Sequence, residues 1–487
     1  MSDVKVLGVV GAGPMGAGIA QIGLTAGLQV ILFDLSAEAL DKARRDVMAR
    51  IARLAEKGQL PEGAVADAES RLVLARELAA FAAADLVIEA IVERLEPKQK
   101  LFAELEGIIA ADAILASNTS SLSIAAIASH CTDKSRVCGL HFFNPVPLMK
   151  LVEVVVGPST SADVTERAIA FAKSIAKVPV TVKDGPGFLV NLQGRAYITE
   201  GLAVVQEGVG DPAQVDRIMR EGASFRMGPF ELMDLTGIDV NYPVTGFIHE
   251  GYQYDPRLKT TPLHRLMADA GRFGRKTGQG FHDYGEGAAP PHVAPAPSGR
   301  VLRPHFAEAS PHWAKLGDIE AGEDVTLVAP IGEDCATACV RLGLNAKTTV
   351  AIDFTGADRR HLTVMAAVGG RTKAEEVADW LRGCDFTVEV IADSPGFVLQ
   401  RILAMIANLG CELAQVGVGT PPDIDTAMKL AQNYPLGPLE WGEKLGVGTT
   451  YTIMCQLQAI TGSDRYRPSL WLRRRAQLGL PIHMADA

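Results

Sequence analysis

At 487 residues, with 48% hydrophobic and 21% charged side chains, the chain has the make-up of a soluble globular protein of about two to four domains. Its formal net charge of −10, with no basic stripe, argues against a nucleic-acid partner and against an anionic membrane surface. Met1-Ser2-Asp3 leads straight into an apolar strand, no apolar run reaches the length of a membrane span, and the seven cysteines show neither a Cys-x-x-Cys pair nor Cys/His ligand spacing. A cytoplasmic protein with reduced thiols, no membrane contact and no bound metal is expected.

Val4 to Val10 reads as a buried parallel strand and Ala17 to Ala26 as a helix. Between them lies Gly11-Ala12-Gly13-Pro14-Met15-Gly16. In a G-x-G-x-x-G turn of this kind Gly11 makes the tight bend and Gly13 admits a pyrophosphate. Gly16 lets the helix close on the strand, and the helix N-terminus takes the phosphate charge. A second strand, Gln29 to Phe33, ends in Asp34, 23 residues after Gly11. An acid there suits a ribose 2′-hydroxyl and repels a 2′-phosphate, so NAD is favoured over NADP.

Glu38 to Gly58 reads as an amphipathic helix with a basic side; most of these charges suit a solvated face, and Lys57 is singled out as a cation for a phosphate-bearing substrate. Leu86 to Ala90 is a further strand. Glu93 and Lys98 fall past its carboxyl end, where open α/β sheets bind ligands. The strand Ile114 to Ala116 delivers the polar cluster Ser117-Asn118-Thr119-Ser120-Ser121, which serves either a site or, through Ser120 or Ser121, the cap of the next helix.

Gly139 to Glu153 places His141 in a Pro-rich, apolar turn and Glu153, twelve residues on (153 − 141 = 12), inside a Val/Leu strand. A carboxylate buried by such a strand needs a partner. Imidazole, whose ordinary pKa lies near about 6.5, is the natural one for proton transfer at neutral pH. Ala162 to Lys177 then reads as a helix and Pro179 to Val182 as a strand. Asp184-Gly185-Pro186-Gly187 is a turn, and Asn191 stands near the start of the helical run Val190 to Gly208.

The chain to Tyr284 reads as helical, and Gly285 to Arg300 as a Pro- and Ala-rich linker. Beyond it the pattern repeats. Asp393-Ser394-Pro395-Gly396-Phe397-Val398-Leu399-Gln400 matches Asp184 to Asn191 at an offset of 209 (393 − 184 = 209), and Gly437 matches Gly228 at the same offset. A βαβ echo (Leu362 to Val368, Lys373 to Leu381, Phe386 to Ile391) precedes the second copy, without a G-x-G-x-x-G or a His–Glu stretch. The expected architecture is an α/β Rossmann-type NAD-binding domain (1–184) and an all-α domain (185–284). A linker (285–300), a partial, degenerate α/β segment (301–392) and a second helical domain (393–487) follow.

These residues resemble the L-3-hydroxyacyl-CoA dehydrogenases, over Val4 to about Tyr284 and again from about Asp393. The resemblance is carried by Gly11 to Gly16, Ser117 to Leu122, Gly139 to Glu153, Asp184 to Asn191 and Gly274-Arg275-Lys276-Thr277-Gly278-Gln279-Gly280-Phe281. The duplicated helical domain looks like that of the longer bacterial enzymes, some of them in phenylacetate and related aromatic degradation. The resemblance implies reversible oxidation of an (S)-3-hydroxyacyl-CoA by NAD, in fatty-acid β-oxidation or aromatic degradation. It implies His141 as general acid/base, Glu153 orienting it, Ser120 bonding the substrate oxygen and Asn191 positioning the acyl group. It also implies Gly11, Gly13, Met15, Gly16, Asp34, Glu93, Lys98 and Asn118 around NAD, and Lys57 on the CoA side. Two departures stand out: Arg50 where the family has a serine, and Leu192 where an arginine commonly follows the asparagine, with Arg195 as a substitute. The competing readings are a dehydrogenase of non-CoA hydroxy or sugar acids on the same fold, and a non-catalytic, crystallin-like NAD-binding protein. A monomer and a homodimer are both compatible with the tandem helical copies.

Overall fold

A computed structural model describes residues 3–285 and 295–486, so that 286–294 of the expected linker lie outside the described residues. The chain divides into two compact units: Met1–Val190 with Gly417–Gln432, and Asn191–Val416 with Asn433–Ala487.

The first unit is built on an eight-stranded sheet. Its strands are β1 (Val6–Val10), β2 (Gln29–Phe33), β3 (Leu72–Ala75), β4 (Leu86–Glu89), β5 (Ile114–Ser117), β6 (Val137–Phe142), β7 (Leu151–Val156) and β8 (Val178–Lys183). Their order is β3-β2-β1-β4-β5-β6-β7-β8. Every neighbouring pair is parallel except β6–β7. The strands are near-continuous apolar runs because both faces are covered, which is what a parallel sheet demands. The order reverses between β1 and β4, so the carboxyl ends of these strands open a crevice. Leu7, Val9, Leu32, Leu86, Ile88 and Ile114 belong to the core of this unit, with the helix Pro14–Thr25 packed on it through Ile19 and Ala20.

The second unit holds both helical copies and a smaller sheet. The helices Val190–Gln206, Pro229–Thr236 and Ile238–Gly251 recur as Leu399–Gln415, Pro438–Leu445 and Val447–Thr461, each beginning 209 residues later. The second helix of each set opens with the same device: the N–H of Gly228 donates to Glu231 (3.0 Å), and that of Gly437 to Glu440 (2.7 Å). The sheet is larger than the βαβ echo suggests. It has five strands, β9 (Pro304–Phe306), β10 (Val325–Val328), β11 (Thr349–Asp353), β12 (His361–Met365) and β13 (Thr387–Val390), ordered β13-β12-β11-β10-β9. Only β11–β12 is antiparallel, as β6–β7 is in the first sheet.

A buried ionic cluster joins the helical copies. Glu200 of the first copy accepts from Arg401 Nε (2.5 Å) and Arg465 Nε (2.7 Å) of the second, and Tyr466 donates to it at 2.9 Å. Arg401 and Glu200 are both fully buried. Burial alone would raise the Glu200 carboxyl, but the charges of Arg465 and Arg401 outweigh it and hold it down at about 2.

The copies also exchange a segment. In the first unit Lys183 donates its N–H to Val418 (2.9 Å), and the helix Pro421–Gln432 lies against β7 and β8. In the second unit Ala392 donates to Val209 (2.9 Å), and Gln214 and Arg217 reach Glu389 (2.8 Å each). The two backbone bonds are related by the same offset (183 + 209 = 392; 209 + 209 = 418). Each sheet therefore receives the helical segment of the other copy. Among the described residues no helix is long and apolar enough to cross a membrane, and all seven cysteines are free thiols.

Candidate active site

β1 runs directly into the glycine-rich turn, and Pro14 opens the following helix at its first turn, where its missing N–H costs nothing. Gly11 has φ +108°, and a Cβ there would lie 2.5 Å from the Ala90 carbonyl oxygen. A Cβ at Gly16 would lie 1.8 Å from the Gly11 carbonyl oxygen, so helix and strand close together only with glycine. Nothing lies within 4 Å of a Cβ at Gly13, whose face is open. Met15 is half-buried and packs on the core. Asp34 follows β2 and is fixed by the loop itself: Ala12 donates to its Oδ2 (2.8 Å) and Ser36 to its Oδ1 (2.9 Å). A cleft of about 790 Å³ borders Gly11, Gly13, Asp34, Ile91, Val92 and Arg76. An open backbone at a helix N-terminus, beside an acid at the end of the second strand, fits the two ends of a dinucleotide's adenosine diphosphate half.

The polar cluster past β5 is organised by two carboxylates. Glu89, fully buried at the end of β4, accepts from Lys98 Nζ (2.6 Å), Ser117 Oγ (2.6 Å) and the Ile91 N–H (2.7 Å). Lys98 Nζ is also 3.1 Å from Glu93. Glu93 Oε1 accepts from Thr119 Oγ1 (2.7 Å), the Ser120 N–H (2.9 Å) and Ser121 Oγ (3.1 Å), and Ser120 Oγ lies 3.3 Å away. Burial works against the Glu93 carboxylate, yet the Lys98 ammonium and the Thr119 and Ser120 bonds hold its pKa below the ordinary value. Asn118 Oδ1 accepts the Phe142 N–H (2.8 Å), tying this run to the end of β6. Helix capping falls to neither Ser120 nor Ser121. Ser123 caps Ile124–Ile127, accepting from Ala126, because Ser120 and Ser121 are drawn to Glu93.

His141 lies in β6, not in the turn that follows. The antiparallel β6–β7 register sets it directly opposite Glu153. Nδ1 of His141 and Oε2 of Glu153 are 2.6 Å apart. Glu153 is fully buried, and its other oxygen accepts the N–H groups of Leu189 (3.0 Å) and Val190 (2.8 Å). Such a carboxylate is satisfied on every side, which is the condition for burying it. The imidazole is 6% exposed, with the rings of Phe143 and Phe188 centred 4.5 and 5.8 Å away. With Nδ1 engaged by the carboxylate, Nε2 is the position left for proton exchange.

The remaining expected residues lie on helices. Lys57 is exposed at the C-terminal end of the helix Ala37–Glu56, and Arg50 is exposed on the same helix. Asn191 is the second residue of the helix Val190–Gln206 and belongs to the second unit. Arg195, the expected substitute for the arginine missing at Leu192, lies one turn further along the same helix. It is buried, with Nη1 on Thr245 Oγ1 (2.6 Å) and Nε on the Asn191 carbonyl (2.9 Å). Sequence reasoning passed over Glu89 and the Leu189/Val190 N–H pair. An acid closing the apolar run Leu86–Glu89, nine residues before a lysine, was the legible signal for the first.

Comparison with known proteins gives a consistent picture. A family model described as "3-hydroxyacyl-CoA dehydrogenase, NAD binding domain" matches residues 6–185, and one described as "3-hydroxyacyl-CoA dehydrogenase, C-terminal domain" matches 187–284 and again 396–481. The chain is similar to 3-hydroxyadipyl-CoA dehydrogenase of Escherichia coli K12, at 39% identity over 98% of each chain. It is 40% identical to 3-hydroxybutyryl-CoA dehydrogenase of Bradyrhizobium diazoefficiens, over 59% of this chain and 97% of that one. A crystal structure of 3-hydroxybutyryl-CoA dehydrogenase from Escherichia coli K12 superimposes with a TM-score of 0.88 at 38% identity, covering 98% of this chain and 99% of that one.

Proposed function

This chain belongs to the 3-hydroxyacyl-CoA dehydrogenase family, and on that premise we propose that His141 is the group that moves the substrate's hydroxyl proton. The activity is that of an NAD-dependent oxidoreductase on 3-hydroxyacyl-CoA. In oxidation Nε2 of His141 accepts the 3-hydroxyl proton, while Glu153 holds Nδ1–H and balances the imidazolium. In reduction the imidazolium returns that proton to the ketone oxygen. Bound NAD supplies the hydride acceptor or donor. Ser120, fixed through Glu93, and Asn191 position the substrate oxygen and acyl group. Asp34 holds the adenine-side ribose; Gly11, Gly13, Met15 and Gly16 border the pyrophosphate. Glu93, Lys98 and Asn118 shape the nicotinamide side, and Lys57 meets the CoA.

One observation carries this reading: the 2.6 Å Nδ1–Oε2 contact of a nearly buried imidazole with a fully buried carboxylate. The pair fixes a tautomer and leaves Nε2 for proton exchange. His141→Ala tests it. The kcat is expected to fall by about 10²–10⁴, the usual worth of general acid–base assistance, with NAD affinity kept. Unchanged turnover would overturn the assignment.

The preferred substrate we infer to be a dicarboxylic 3-hydroxyacyl-CoA of the 3-hydroxyadipyl type, which places the enzyme in aromatic degradation. The support is the full-length match to the relative of that name. NADH formation across (S)-3-hydroxyacyl-CoAs, from butyryl to long chain and including 3-hydroxyadipyl-CoA, decides the point; a preference for plain chains transfers it to fatty-acid metabolism. A monomer is proposed from the buried Glu200–Arg401 pairing of the two helical copies within one chain. Sedimentation at several concentrations tests that. A cytoplasmic location is supported by the free thiols.

A further inference from the structure

Glu89, Lys98 and Glu93 form a cluster with more acid than base. Glu89 is fully buried and Lys98 is 1% exposed. The Lys98 ammonium lies 2.6 Å from Glu89 and 3.1 Å from Glu93, and among the described residues no other cation comes within 4 Å of either acid. The groups around Glu89 are donors: Lys98, the Ser117 hydroxyl and the Ile91 N–H, the set a carboxylate accepts. Glu93, whose pKa is held below its ordinary value, is a second carboxylate, with its side chain 38% exposed. Two acids thus share one ammonium. One negative charge is left over, and Glu93 is the member that carries it to the surface. A buried ion pair adds little stability over well-packed apolar side chains, so the pair alone does not account for the cluster.

The strand order says what lies beside it. Asp34 ends β2 and the glycine-rich turn follows β1, so the adenosine half of the cofactor belongs on that side of the reversal between β1 and β4. The nicotinamide half then falls over the ends of β4 and β5, which Glu89 and Ser117 close.

We propose that the surplus negative charge of Glu89, Lys98 and Glu93 discriminates between the two redox states of the cofactor. The oxidised nicotinamide ring is a cation and the reduced ring is neutral, while the rest of the molecule is the same. A fixed negative charge beside the ring therefore strengthens binding of NAD relative to NADH. In the oxidation direction it favours loss of NADH once the hydride has moved. Glu89 touches no ligand. It is a positioning residue: by holding the ammonium at 2.6 Å it leaves Glu93 only partly neutralised. This inference rests on the reading that sets the nicotinamide beside Glu93, and it does not depend on His141.

The test is a pair of dissociation constants, for NAD and for NADH, measured calorimetrically on the full-length protein. Glu89→Gln keeps an oxygen for Lys98 and the Ile91 N–H and removes one charge. Its affinity for NAD over NADH is expected to fall about tenfold, the effect of one unit charge several ångströms away at a partly buried site. ADP-ribose, which lacks the ring, is expected to bind as it does to wild type. Glu89→Gln/Lys98→Met removes acid and base together and leaves the surplus charge on Glu93 alone. It is expected to restore the wild-type ratio, a rescue that a merely structural role for Glu89 would not give. Glu93→Gln also removes one charge and is expected to lower the ratio. A ratio unchanged in Glu89→Gln but lowered in Glu93→Gln overturns the part given to Glu89 and leaves the nicotinamide reading standing. A ratio unchanged in both overturns that reading, and the inference with it. Should Glu89→Gln fail to fold, the double variant decides, and a lowered ratio there overturns the proposal.

Discussion

Glu153 faces His141 across β6–β7 and at the same time holds the backbone of Leu189 and Val190, the residues that lead into the helix carrying Asn191. One carboxylate thus sets the histidine's tautomer and the entry of that helix. Glu153→Gln separates the two roles. The amide oxygen still accepts from Leu189 and Val190, but the NH₂ group now faces Nδ1 and forces the proton to Nε2. The kcat is expected to fall by about 10²–10⁴ with the melting temperature little changed, since the anchoring bonds persist. Steady-state kinetics alongside thermal unfolding check this, and a variant that loses stability but not turnover would contradict it.

Asp34→Ala removes the acceptor for both Ala12 and Ser36. The KM for NAD is expected to rise by about 10- to 100-fold, the equivalent of a hydrogen bond to a charged group at ~1.5–3 kcal/mol, and the preference over NADP to shrink. Parallel titrations with the two cofactors measure both effects.

Glu200→Gln removes the carboxylate shared by the buried Arg401 and Arg465, while Arg401 keeps Glu207, 2.6 Å from its Nη1, as a half-exposed counter-charge. A loss of about 3 kcal/mol is expected, the lower end for buried pairs broken on one side. The same carboxylate makes the fold acid-sensitive. Its folded value of about 2 lies below the ordinary 4.5, so its contribution is complete above pH 4.5 and is lost as pH falls toward 2. Denaturant midpoints of wild type and variant across that range should converge at the acid end.

His282 gives the opposite sign. Its Nε2 lies 2.7 Å from Asp216 Oδ2, and this bond raises the imidazole pKa above 6.5, against the effect of burial. The contribution to stability is present below that value and is lost as pH rises through the folded pKa. Melting temperatures taken from about pH 6 to about pH 8 should decline more steeply for the wild type than for His282→Gln.

The glycine-rich turn and its neighbouring acid were legible because their geometry is local. Gly11, Gly16 and Asp34 are dictated by close approach and by strand order, and both leave a spacing in the sequence. His141 and Glu153 were legible as a pair but not in place: the residues after His141 are Pro-rich, and only the antiparallel register of β6 with β7 shows that the strand continues to Phe142. Ser123 was hidden as a cap because Glu93, some thirty residues upstream, draws Ser120 and Ser121 away. β9 to β11 escaped notice because they are short and separated by polar runs. Nothing in the amphipathic pattern of Pro421–Gln432 says which sheet it packs on, since packing partners lie outside any local window.

That last helix has a consequence for biosynthesis. Lys183 leaves the ribosome long before Val418, its backbone partner, has been made. Val190 and Gly417, adjoining pieces of one folded unit, are separated by 227 residues of chain (417 − 190 = 227), about 10 to 45 s of elongation at ~5–20 residues per second. Through that interval the nascent nucleotide-binding unit presents β7 and β8 without the helix that finally covers them. The surface stays unfinished until Gln432 has been made, and a transcript truncated before Gln432 yields a first unit that never closes.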